Sequence, residues 1–126
     1  KMFLKTLEKY YIVDIGIRNR LTGLSNTDYG HILENIVYLE LLRRGYEVTI
    51  GKIGALEVDF VAKKTNETIY YQVSATIMDE KTRDRELKSL KAIQDNYPKY
   101  VLTMDETIFN DYEGIKVKNI IDFLLE

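Results

Sequence analysis

Cysteine is absent from all 126 residues, which excludes a disulfide framework, a CxxC zinc site and a thiol nucleophile. The single histidine, His31, has no second histidine or cysteine with which to share a metal, so beside Gly30 it reads as a capping or surface residue. No apolar run approaches the ~20 residues of a membrane span, and the N-terminus lacks the basic-then-apolar plan of a signal peptide. There is no GxxxxGKS or GxxxxGKT motif, so the chain carries no P-loop for ATP. Neither sign of charge dominates: 18 basic and 20 acidic residues leave a net charge of −2. No global field therefore draws the chain to nucleic acid or to an anionic membrane, and any nucleic-acid contact has to be local. Together these absences describe a cytoplasmic chain with no membrane role.

Proline occurs once and glycine seven times, against 45% hydrophobic and 30% charged residues, which is the composition of an ordinary folded domain. A chain of this length buries about two thirds of the surface its unfolded form exposes, enough for one core. Residues 1–126 are thus expected to form a single domain. Met2 stands second and the first secondary-structure signal arrives within ten residues, so the domain reads as one cut from a longer protein.

Periodicity and turn signals give a run of elements. YYIVDI (10–15) reads as a strand with Asp14 bonding local backbone, and 17–23 as a short helix closed by glycine. A long helix follows, from about Asp28 to Arg44, stopped by Gly45. Its apolar residues, among them Ile32, Leu33, Val37, Leu39, Leu41 and Leu42, cover most of the circumference and predict a helix packed on two sides. Glu34 lies one turn from Val37 and two from Leu41, on an apolar face where a carboxylate needs a partner. Glu40, about 120° further round, is expected to face water.

Strands are expected at 46–50, 56–63 and 69–75, joined by turns at 51–55 and 64–68 as a meander. Strict alternation along 56–63 puts Glu57, Asp59 and Val61 on one face, with Val58, Phe60 and Ala62 on the other. In the third strand Tyr70, Gln72 and Ser74 share a face. An amphipathic helix over 79–94, with Leu87, Leu90 and Ile93 as its stripe, carries interleaved charges of both signs, so Arg83, Arg85 and Lys88 read as intrahelical partners or phosphate contacts. A strand at 100–104, a polar loop at 105–113, a short strand at 115–117 and a helix at 119–125 complete the chain.

This order of helix, three strands, helix and strand, with a carboxylate on the first helix and an Asp on the second strand, resembles the α/β core of the restriction-endonuclease-like PD-(D/E)xK nucleases. The resemblance implies an αβββαβ core, a mixed central sheet flanked by helices. It maps their Glu, Asp and Glu-x-Lys positions onto Glu34, Asp59, Gln72 and Ser74. In such nucleases clustered carboxylates hold Mg²⁺, the ions activate water, and the Lys places positive charge beside the nucleophile. Here Gln72 lacks the charge and Ser74 lacks the ammonium. Glu34 and Asp59 remain as weak Mg²⁺ or Mn²⁺ ligands, and Lys63, four residues after Asp59, is the candidate replacement cation.

The segments YYIVDIGIRN, GHILENIVYLELLRRGYEV, EVDFVAKK, IYYQVS and DNYPKYVLTMD are similar to the C-terminal domain of unknown function of bacterial and archaeal AAA-type ATPases. That resemblance covers about residues 10–126. It implies an N-terminal ATPase domain as the partner within the same protein. The combined expectation is a prokaryotic, degenerate nuclease-like accessory domain that binds nucleic acid or protein and needs no cofactor. The alternative is a Mg²⁺-dependent nuclease.

Overall fold

The computed structural model describes residues 26–106 and 111–126. The expected strand at 10–15 with Asp14, the helix at 17–23 and part of the loop at 105–113 lie outside the described residues. The elements are α1 (Asn26–Arg43), β1 (Glu47–Ile53), β2 (Leu56–Lys64), β3 (Glu67–Ser74), α2 (Glu80–Lys91), β4 (Lys99–Thr103), β5 (Asp111–Tyr112), β6 (Ile115–Asn119) and α3 (Ile120–Leu125). They form an α/β domain whose one mixed sheet runs β1-β2-β3-β4-β6-β5, with helices on its faces. Among the described residues no helix is long and apolar enough to cross a membrane.

The expected meander is present, β1 antiparallel to β2 and β2 to β3. Both hairpins are tighter than the sequence implied. Ile53 pairs with Leu56, so β1 runs on through residues assigned to a turn and only Gly54 and Ala55 connect the strands, Gly54 at φ +60. Beyond β3 the chain crosses over through α2, and β4 and β6 add in parallel. A parallel partner requires such a crossover, whereas an antiparallel one needs only a short turn. Val101 and Leu102, neighbours in β4, are both fully buried on opposite faces, as befits a central strand covered on each side.

Leu33, Val37 and Leu41 of α1, spaced one turn apart, are fully buried against Tyr71, Val73 and Leu102 and against Phe123 of α3. Each contributes roughly 1.5–3 kcal/mol by leaving water. On the other side of the sheet Leu87 and Leu90 of α2 pack with Val58, Val101 and Val117. The helix α1 ends where its sequence says it should: Gly45 at φ +90 donates its N–H to Leu42 O, and Tyr46 N–H reaches Leu41 O. This paired closure satisfies carbonyls that the last turn would leave bare. For α2 the cap is Asp79, whose carboxylate accepts from the Thr82 N–H at 3.0 Å.

The polar loop expected at 105–113 holds the two-residue strand β5, paired with β6, and three further expectations are corrected. The first is the face assignment along β2, because the register steps from Thr49↔Val61 to Gly51↔Val58, with Asp59 and Phe60 of β2 against Ile50 alone of β1. This bulge reverses the alternation. Val58 enters the α2-side core while Phe60 and Ala62 join the α1-side core. A side chain on Gly51 would lie 2.9 Å from Val61 Cγ2 and 3.2 Å from Val58 Cβ, so glycine is the residue that fits opposite the bulge.

The second is the two-sided packing of α1. Its outer residues Ile32, Leu39 and Leu42 stay 37%, 54% and 43% exposed, so the helix buries one face. The third is Glu40, which is 4% exposed instead of facing water. It accepts from Arg43 Nε and Nη2 at 2.9 and 2.7 Å and from Arg44 Nε at 2.7 Å. Arg44 in turn donates to the Phe123 carbonyl and lies over the Phe123 ring at 4.2 Å. A helical wheel holds α1 alone, whereas α3 packs on that side of it from far along the chain.

Candidate functional site

The ladder between β2 and β3 is regular from Lys64↔Glu67 to Phe60↔Tyr71 and then passes from backbone to side chains. Val73 N–H donates to Asp59 Oδ2 at 2.8 Å, and Asp59 N–H donates to Gln72 Oε1 at 2.7 Å. The Gln72 amide nitrogen donates onward to the Glu86 carbonyl at 3.3 Å and to Glu86 Oε2 at 3.2 Å. Asp59 and Gln72 thus replace one rung of the sheet and fasten it to α2. The bulge, of which Asp59 is itself part, supplies the departure from regular pairing that lets them do so.

The remaining expected site residues are placed as follows. Glu34 is half-buried at the edge of a cleft it shares with Asp59, and His31 Nδ1 stands 3.4 Å from its carboxylate. His31 is a surface residue, its side chain 73% exposed. Ser74 turns its hydroxyl to the Thr76 carbonyl at 2.9 Å, a local turn bond. Lys63 is exposed beside Glu47 and Glu67 in a different cleft, at the far end of β2 from Asp59. The structure therefore brings Glu34, Asp59 and Gln72 together and leaves Ser74 and Lys63 to other work. Of the helical cations, Arg83 lies over the Tyr112 ring at 5.6 Å and Arg85 stands 3.7 Å from Glu86.

Glu86 is the site residue that sequence reasoning missed. It precedes Leu90 by four and Ile93 by seven residues, which puts it on the buried stripe of α2, but the alternating charges around it masked that position. Burial, then the charge of Asp59, pushes its pKa up to about 7, against the opposing pull of Arg85. Asp59 is pushed up to about 6 by burial, with Glu34 and Glu57 adding to the rise and the Val73 N–H opposing it. Two carboxylates with raised proton affinity thus flank Gln72.

A raised carboxylate pKa means that the folded state binds protons more tightly than the unfolded one. The stability it brings is complete below the ordinary value near 4.5 and is lost as pH rises through about 7. Glu86→Gln keeps an oxygen to accept from Gln72 and removes the charge. It is expected to raise unfolding stability by roughly 1–2 kcal/mol at pH 8, discounted for partial solvent access, and to leave it nearly unchanged at pH 4. Urea titrations at the two pH values read the difference directly.

As a metal centre the constellation fits poorly. Among the described residues no three His, Cys, Asp or Glu side chains gather into a group able to hold a metal ion. The Gln72 oxygen is occupied by the Asp59 N–H, and one Asp59 oxygen by the Val73 N–H. Mg²⁺ asks for several hard oxygen ligands in near-octahedral order.

Comparison with known proteins gives one informative relative. A Haemophilus influenzae protein described only as uncharacterized is 41% identical over 126 residues, which is all of this chain and 31% of that protein. The chain thus spans about a third of the length of the curated relative it matches. No family model matches the chain, and no solved structure matches it.

Proposed function

We propose that this chain is a non-catalytic accessory domain with a restriction-endonuclease-like core, carried by an AAA-type ATPase and used for interaction with a protein or nucleic acid instead of cleavage. The observation that carries the reading is the engagement of Gln72. The side chain at the expected carboxylate position is held at one end by the Asp59 N–H and at the other by Glu86. Its polar groups hold β2, β3 and α2 together and leave none for a metal-bound phosphate. The order α1, β1, β2, β3, α2, β4 agrees with the αβββαβ core that the reading requires. The relative, some three times longer than the matching stretch, agrees with a domain belonging to a larger protein.

A Mg²⁺-dependent nuclease is the second reading, and the shared cleft of Glu34 and Asp59 is what favours it. Labelled single-stranded, duplex and branched DNA and RNA, incubated with Mg²⁺ and with Mn²⁺, separate the two. The accessory reading expects no cleavage by the intact chain. Cleavage that disappears in a folded Asp59→Ala variant would overturn it.

A further inference from the structure

Between α1 and the β1–β2 hairpin lies an open cleft of about 590 Å³. Tyr38 from α1 and Phe60 from β2 stack along it, ring centroids 6.0 Å apart and planes 28° apart. Glu34, Glu57 and Asp59 supply three carboxylates to the same space. The exposed Lys52 stands 3.7 Å from Glu57, and the His31 ring nitrogen 3.4 Å from Glu34. Asp59 makes no ion pair among the described residues, and what raises its proton affinity is burial and negative charge.

This combination selects an occupant. A phosphate would meet three carboxylates, whereas a guanidinium or ammonium group gains both from the ring faces and from the uncompensated Asp59. Strand β1 borders the cleft through Val48, Thr49 and Ile50, and among the described residues it pairs with β2 alone and leaves its other edge unpaired. An extended segment added to such an edge presents every second side chain to one face of the sheet. Ile50, 64% exposed at this edge, offers an apolar contact to the same segment.

We propose that the cleft docks a basic protein segment, which lies along β1 and sets an arginine or lysine side chain against the Tyr38 and Phe60 rings and the Asp59 carboxylate. The inference rests on the accessory-domain reading and gives its partner a chemistry. The intact ¹⁵N-labelled chain would be titrated at pH 8 with a capped Gly-Arg-Gly peptide and with its neutral citrulline counterpart. Saturable shifts are expected at Glu34, Tyr38, Asp59 and Phe60, with the citrulline peptide at least about tenfold weaker. Asp59→Asn, which keeps an oxygen for the Val73 N–H, should weaken the arginine peptide by a similar factor, and the exposed-ring change Tyr38→Ala should weaken it several-fold. Equal shifts from both peptides, no saturation by about 20 mM, or displacement of the same resonances by an oligothymidylate would overturn the proposal. Cleavage activity would instead sink the accessory reading beneath it, so the two failures are distinguishable.

Discussion

Glu40→Ala is expected to destabilise the domain by roughly 3–5 kcal/mol, a large part of the stability of a domain this size. Glu40 is nearly fully buried and accepts three hydrogen bonds from Arg43 and Arg44. Removing it leaves the Arg44 guanidinium, itself 19% exposed, with a carbonyl, an aromatic ring and the Glu126 carboxylate at 3.6 Å. An exposed pair would be worth no more than about 1 kcal/mol, so the magnitude tests the burial directly. Urea unfolding of the variant and of Glu40→Ala/Arg44→Met gives the second half of the test. Taking out both charges should recover part of the loss, because an apolar replacement of a buried pair is often neutral. A single-variant loss below about 1 kcal/mol would show that the cluster behaves as a surface pair.

Gln72→Glu carries the second large effect, and it bears on function as well as stability. The substitution restores the carboxylate that the nuclease resemblance expects, but at a position 4% exposed and next to two carboxylates whose pKa values are already raised. It also removes the amide that donates to Glu86. An unpaired buried charge of this kind costs about 3–5 kcal/mol. The loss should be seen at pH 8 and should shrink towards pH 4, where the introduced carboxyl is protonated and can again donate. The sign follows from linkage: a carboxyl with raised folded pKa gives stability at low pH that disappears as pH climbs through that pKa. Thermal melts across the range measure it. A variant as stable as the parent at pH 8 would mean that the site takes a third carboxylate without strain, which is the property of a metal-ready site.

The sequence carried most of the architecture because strong local signals and tertiary packing agree here. β-branched runs, Gly45 after α1, and the polar turn at 65–66 mark their elements to within a few residues. The failures share a cause. The bulge at Asp59 and Phe60 shifts an alternation that is otherwise regular, and nothing in LEVDFVAKK announces it, because Gly51 on the facing strand is what makes room. The burial of Glu40 is not legible either, because its partner element, α3, is invisible to a wheel drawn for α1 alone. β5 is not legible in the sequence because two residues paired with Lys116 and Ile115 leave no periodicity to read. For the candidate site, Asp59 and Gln72 stood out by their types, whereas Glu86 needed the knowledge that α2 lies across the ends of β2 and β3.

The contrast between the first three strands and the rest of the sheet also sets an order of events. Two-residue connections close the β1–β2–β3 meander with little loop entropy, and hairpins of this kind form in about 1–10 μs. As the chain leaves the ribosome, α1 and the meander can collapse on each other before β4 has been made. The Glu40–Arg44 cluster is different, for the carbonyl that receives Arg44 belongs to a residue 79 positions later. Until then the end of α1 lacks the Phe123 carbonyl and ring that hold Arg44. The latch that fixes it arrives with the last described helix, so a chain halted before α3 would have all six described strands made and α1 still without its latch.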